Sequence, residues 1–189
     1  MTMRLLPFAF AALLMATAGC SSTPPIRFHS LLAGTGASAG PAPTRYVDLG
    51  PVGVPASVDQ PQWVVRLPDE SLRVLEQERW VAPLRDEVRA ALLDGLRQRS
   101  GVADARTVSA PQGEVARVRV DLQRFESIAG RGTWLEARWT VAPGDLACSL
   151  SLRETADSDP LALAAAHRRA VNTLADRIGA SLADKACPI

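Results

Sequence analysis

The sequence predicts an α+β domain, a curled and mainly antiparallel or mixed sheet of about five to seven strands with two principal helices packed on it. Three observations lead there. Between Arg117 and Arg153, apolar and polar residues alternate through successive segments separated by turn residues. Two further segments, entered at Pro83 and Pro160, repeat apolar residues at helical spacing. Shorter alternating runs between Ile26 and Val74 supply the remaining strands.

Taken in order, Ile26 to Leu32 (IRFHSLL) reads as the first strand, with Ile26, Phe28, Ser30 and Leu32 on one face and His29 on the polar one. Gly34 to Pro43 (GTGASAGPAP) has the composition of a flexible loop. Tyr46 to Val54 forms a second strand and Gln62 to Leu67 a third, joined by the Pro55 to Pro61 connection. In the third, Trp63, Val65 and Leu67 alternate with Gln62, Val64 and Arg66. Pro68-Asp69-Glu70 turns the chain, and Leu72 and Val74 begin a strand that pairs back as a hairpin. Pro83 suits the first turn of a helix, where its missing N–H is no loss. Leu84, Val88, Leu92 and Leu96, with Ala91 beside them, give that helix a stripe facing the sheet, and it ends near Ser100-Gly101.

The clearest strand pattern follows. Val118, Val120 and Leu122 alternate with Arg117, Arg119, Asp121 and Gln123. After the Ile128 to Gly132 connection, Leu135, Ala137, Trp139 and Val141 alternate with Trp134, Glu136, Arg138 and Thr140. Beyond Pro143-Gly144-Asp145, the face of Leu146, Leu150 and Leu152 points Cys148 into the core. Successive strands joined by Gly- and Pro-containing turns make an antiparallel meander. Trp134 shares its face with Glu136 and Arg138 and is the tryptophan expected at the surface, although tryptophans on strands are more often packed. Asp159 before Pro160 combines an N-cap acceptor with a first-turn proline. Ala164, His167, Val171, Leu174, Ile178 and Leu182 trace the packed face of this last helix, which ends near Lys185. His167 is thus expected to be a half-buried structural residue.

A chain of 189 residues supports one domain with a real core, and 21 Lys and Arg against 20 Asp and Glu leave no basic footprint for nucleic acid. The N-terminus sets the compartment. Arg4, the apolar run Leu5 to Ala18, and Thr17-Ala18-Gly19-Cys20 have the form of a lipoprotein signal peptide, with Thr17 where leucine is usual. The alternative is an ordinary export signal with an accidental Cys20. The expected organisation is a leader over 1–19, a lipidated Cys20 with a tether to residue 25, and one periplasmic domain over 26–189. Acyl chains on Cys20 would anchor the protein to a membrane without a spanning helix, each buried methylene contributing about 0.8 kcal/mol. Ser21 and Ser22 in place of aspartate direct such a lipoprotein to the periplasmic face of the outer membrane.

Cys148 and Cys187 remain. In an oxidising periplasm they read most simply as one disulfide, with two separate thiols or a zinc site completed by His167 as competing readings. The zinc site lacks the usual ligand count and spacing. No P-loop, GxSxG elbow, HExxH or CxxC occurs, so no catalytic residue, metal or cofactor is assigned and no enzymatic activity is expected.

The stretch Leu49 to Leu67 (LGPVGVPASVDQPQWVVRL), followed by Glu78-Arg79-Trp80-Val81-Ala82-Pro83-Leu84 and by Ala137 to Trp139, resembles the PqiC/YmbA family, the auxiliary lipoproteins of Mce-type ABC transport systems. Gln60 stands where the family commonly has arginine, and Ala82 where an acidic residue often precedes the proline. The resemblance covers most of the mature chain. It implies an outer-membrane lipoprotein that docks a periplasmic Mce-domain protein, supports intermembrane lipid movement and envelope integrity, and acts as a homo-oligomer. On that reading Pro55, Asp59, Gln60, Pro61, Arg79, Trp80 and Trp134 are the candidate partner-binding residues. The rival expectation is a lone envelope lipoprotein that binds lipid, peptidoglycan or an outer-membrane protein.

Overall fold

The elements run β1 (Arg27–His29), β2 (Arg45–Leu49), β3 (Gln62–Arg66), β4 (Leu72–Trp80), α1 (Leu84–Ser100), β5 (Val102–Asp104), a 3-10 turn (Ala105–Thr107), β6 (Val115–Ile128), β7 (Gly132–Ala142), β8 (Leu146–Glu154) and α2 (Pro160–Asp184). This computed structural model describes residues 24–32, 34, 42–108 and 113–188. The leader, Cys20, Ser21 to Thr23 and most of the 34–43 loop, all read from the sequence, lie outside the described residues.

The longest strand, β6, organises the sheet. Along one edge it pairs antiparallel with β7, which pairs antiparallel with β8, giving the expected meander. Its other edge is covered by one stretch of chain running parallel to it in pieces: β2 against Tyr46↔Val115 to Leu49↔Val118, a bridge at Gly53↔Asp121, and β3 at Val65↔Ser127. Gly50 N–H and Gly53 N–H donate to the carbonyls of Val118 and Val120, each at 3.0 Å, so the ladder barely breaks between the pieces. The backbone passes close to Asp121 at Gly53, where a Cβ would displace the Asp121 carboxylate. The Leu49 to Leu67 stretch is therefore an interrupted strand whose 54–61 segment loops off the sheet. β4 adds antiparallel to β3 and β1 parallel to β4, while β5 adds parallel to β2, completing an open mixed sheet of eight strands.

Both helices cover one face. Leu84, Val88, Ala91, Leu92 and Leu96 of α1 and Ala164, His167, Val171, Leu174 and Ile178 of α2 are all buried, as their spacing requires. The helices approach closely where Gly95 meets Ala175 and Gly179 meets Ser100; a Cβ on Gly95 would stand 2.9 Å from that of Ala175. Asp159 caps α2 by accepting from Ala162 N–H at 3.1 Å. Gly101 ends α1 at φ 60, the left-handed conformation glycine adopts without cost. Cys148 and Cys187 form a disulfide that ties β8 to the segment after α2, with Cα atoms 5.4 Å apart.

Several sequence expectations are corrected. Eight strands exceed the five to seven expected, because the short β5 follows α1 directly and joins the edge of β2. β1 covers three residues and faces the other way: His29 and Leu31 are buried, while Phe28 is 61% exposed. Two carboxylates impose that orientation. Glu78 bonds His29 Nε2 at 2.6 Å and pairs with Arg27, while Glu87 accepts from Ser30 Oγ and Leu31 N–H, each at 2.8 Å. β4 runs on to Trp80, so Glu78 to Trp80 belong to a strand, and Pro83 is the N-cap rather than the first helical residue. His167 is wholly rather than half buried, and Val64 is buried although it lies on the face opposite Trp63. β6 also changes phase: a bulge at Gln123, between Leu122↔Ala137 and Arg124↔Glu136, turns Phe125 and Ser127 inward and Arg124 and Glu126 outward.

Candidate functional site: a cleft beside the 54–61 loop and a tryptophan clamp on the helix-free face

Two of the segments singled out in sequence meet in space. Asp59, Gln60 and Pro61 from the loop, and Trp80, Val81, Ala82, Pro83 and Leu84 from the end of β4 and the start of α1, line a cleft of about 320 Å³. The loop is shaped by a turn in which Val58 N–H donates to Pro55 carbonyl at 3.0 Å, and Asp59 is ion-paired with Arg85 in the first turn of α1. Pro55 shapes the loop without lining the cleft. Arg79 sits on the opposite face of β4 from Trp80, in register with Phe28 of β1 and Gln62 of β3.

The cleft floor rests on an aromatic cluster. Trp80 lies 4.6 Å from Trp63 by ring centroids, His29 meets Trp63 edge-on at 4.8 Å, and Phe125 stacks on His167 at 4.1 Å. Beneath it, Trp63 Nε1–H donates to Ser127 Oγ at 2.7 Å, and Ser127 Oγ lies 2.8 Å from His167 Nε2. Burial alone pushes the imidazole pKa down to about 3. The pair has the spacing of a nucleophile and its base, yet both side chains are buried and His167 Nδ1 has no partner to orient it. This arrangement packs the core and presents no nucleophile to solvent.

Trp134 lies elsewhere, on the sheet face opposite α1 and α2, and it is not the freely exposed residue expected. Arg124 of β6 and Arg153 of β8 place their guanidinium carbons 3.9 and 3.7 Å from its ring centroid, and its indole N–H donates to Ser151 Oγ at 3.2 Å. The clamp extends into a charge ladder across four strands. Arg124 bonds Glu136 at 3.2 Å and Glu126 at 3.0 Å, and Glu126 takes two 3.0 Å bonds from Arg66 of β3. Arg66 holds the Glu126 carboxyl below its ordinary pKa, chiefly through that hydrogen bonding, and Glu126 in turn raises Arg66. Alternation in β7 places Trp134 on this face and alternation in β8 places Arg153 there, while Arg124 joins them only through the Gln123 bulge; neither arginine is among the candidate partner-binding residues.

A further cleft, of about 530 Å³, lies at the other end of the sheet between Arg45, Tyr46, Glu114, Val141, Leu182 and Lys185. None of the candidate partner-binding residues lines it. Among the described residues there is no cluster of side chains that could hold a metal ion, and no helix long and apolar enough to cross a membrane.

The fold is shared with solved structures. One, the crystal structure of an uncharacterized protein, matches at TM-score 0.64 and 16% identity, covering 84% of this chain and 99% of that one. Another, protein XCC0632 from Xanthomonas campestris, of family DUF330, matches at TM-score 0.58 and 18% identity over 83% of this chain and 94% of that one. A search of the curated proteins finds no match. A family model described as the ABC-type transport auxiliary lipoprotein component matches residues 30–179, well over half the sequence, and the chain belongs to that family.

Proposed function

We propose that the protein is a non-catalytic docking lipoprotein of an Mce-type ABC system for intermembrane lipid transport. Acyl chains on Cys20 hold it at the periplasmic face of the outer membrane. Its domain, as a homo-oligomer, seats the periplasmic Mce-domain protein. Family membership supports the auxiliary transport role. The observation that carries the docking surface is the Trp134 clamp: an aromatic ring held between Arg124 and Arg153 on a sheet face that both helices leave open. Tryptophan and arginine are the residues that most often dominate binding energy at protein interfaces, and a side chain already fixed in place loses little entropy on docking.

A photo-crosslinking amino acid in place of Arg138, exposed on the same face, tests this in intact envelopes. The expected product joins the protein to an Mce-domain partner. Crosslinks confined to other envelope proteins would overturn the assignment. The cleft between Arg45, Tyr46 and Lys185 favours a second reading, a lone lipoprotein that binds a lipid in the 530 Å³ space; extraction of stoichiometric lipid from the purified protein, with no Mce-domain crosslink, would establish it.

A further inference from the structure

Seven large apolar side chains are exposed among the described residues, and four of them, Ile26, Phe28, Leu32 and Val81, lie in or beside β1. Ile26 and Phe28 alternate onto one face, with Phe28 opposite Arg79, and Val81 follows directly after β4 at the rim, its N–H donating to the His29 carbonyl at 2.9 Å. Ile26, Phe28 and Val81 are 43%, 61% and 58% exposed respectively. Arg79 sits among them with no ion pair among the described residues, and its Nε is buried with no hydrogen-bond partner there, although buried guanidinium N–H groups are ordinarily satisfied. An edge strand of three residues does not need a large exposed phenyl ring; polar side chains are the usual edge protection.

The position of this patch in the chain says what covers it. Phe28 is eight residues from Cys20, a span of at most about 29 Å when fully extended, and Ile26 is six, at most about 22 Å. An acylated Cys20 therefore keeps β1 within that distance of the bilayer.

We propose that the β1 edge is a second membrane contact: Ile26 and Phe28, with Val81 at the rim, enter the interfacial region of a phospholipid bilayer while Arg79 faces lipid phosphate. The inference rests on the reading of Cys20 as the lipid anchor. The acyl chains on Cys20 hold the protein at the bilayer, and what a contact through the fold adds is a fixed orientation. Phe28 and Trp134 are separated by four strand spacings, from β1 through β4, β3 and β6 to β7, roughly 19 Å at about 4.8 Å each, so membrane and partner surfaces can be occupied together.

The test uses the acylated protein reconstituted into phosphatidylethanolamine–phosphatidylglycerol vesicles, with an environment-sensitive fluorophore on Ile26→Cys, Phe28→Cys or, as control, Arg138→Cys. The native thiols do not compete, since Cys148 and Cys187 are bonded to each other. The expected result is a shift to shorter emission wavelength and quenching by brominated acyl chains at positions 26 and 28, with neither at 138. Arg79→Gln should weaken the quenching at 28, and unchanged quenching would remove Arg79 from the contact. Labels at 26 and 28 that stay aqueous on protein that floats with the vesicles would overturn the patch while leaving the anchor standing. Protein that does not float would overturn the anchor and the patch with it. Shielding that rises with protein concentration and is insensitive to bromine would assign the edge to a second copy of the chain.

Discussion

Ser127 Oγ accepts from Trp63 Nε1–H at 2.7 Å and lies 2.8 Å from His167 Nε2, so one buried hydroxyl ties the indole to the imidazole. His167 Nδ1 is buried without a partner. An imidazolium would have to form in a dry site beside Phe125 and Trp80.

Acid destabilisation follows from this pair. The unfolded chain takes up the His167 proton as pH falls through its ordinary value of 6.5, whereas the folded protein does not until about 3. Stability contributed by neutral His167 is therefore fully present above pH 6.5 and is lost as pH falls between those values, at about 1.4 kcal/mol per unit once the unfolded side chain is protonated. Denaturant unfolding at pH 7 and pH 4.5 should differ by roughly 2–3 kcal/mol more in the wild type than in His167→Phe. Equal pH dependence in the two proteins would refute the assignment. Glu126, whose folded pKa is lowered, adds its own loss only further into acid, below the ordinary carboxylate value, and is common to both proteins.

Trp134 should separate binding from folding. Removing the ring in Trp134→Ala forfeits two cation–π contacts at a half-exposed site, which costs about 1–2 kcal/mol of stability. Affinity for an Mce-domain partner should fall by at least about 2 kcal/mol, roughly 30-fold, while Trp134→Phe keeps most of it. Calorimetric titration of both variants against the partner measures this, and full affinity in Trp134→Ala would exclude the clamp from the interface.

The Cys148–Cys187 bond closes a loop with a sequence separation of 39 that contains all of α2. Chain entropy gives it about 3–4 kcal/mol. Reduction, or Cys187→Ala, should lower the thermal midpoint by roughly 10 °C, since about 1 kcal/mol corresponds to about 2–4 °C in a domain of this size. A midpoint unmoved by reductant would contradict the bond's role.

β1 depends on Glu87. Glu87→Ala removes the acceptor for Leu31 N–H and Ser30 Oγ in a buried setting, a loss of about 2–3 kcal/mol. Amide exchange should accelerate at residues 27–32 ahead of the β6–β7 ladder. Unchanged protection of β1 would show that pairing with β4 alone holds it.

The meander, both helices and their buried faces were legible in sequence because each is a local period read against a single core: Val118 to Leu122, Leu135 to Val141 and Leu84 to Leu96 are dry where alternation or helical spacing says they are. Errors arose where a nonlocal partner reversed a local preference. His29 looked polar and exposed, but Glu78, 49 residues away, accepts it into the interior while Phe28 is turned out. The alternation of Val118, Val120 and Leu122 does not carry past Gln123, because the bulge there shifts the phase and turns Arg124 outward. Of the residues marked for partner contact, Asp59, Gln60, Pro61 and Trp80 converge on one cleft, Arg79 lies on the other face of β4, and Trp134 sits on β7. The arginines that clamp Trp134 come from neighbouring strands: alternation puts Arg153 on the polar face of β8, but its meeting with Trp134 depends on strand register.

Docking between a lipid-anchored domain and an Mce-domain protein can be read in the envelope itself, by affinity purification of the protein from crosslinked cells followed by mass spectrometry, run beside Cys20→Ala and Trp134→Ala. The wild type should recover an Mce-domain protein, with less of it when Cys20 is lost and least when Trp134 is removed from an anchored, folded protein. Enrichment of lipid or peptidoglycan with no Mce-domain protein in any sample would contradict it.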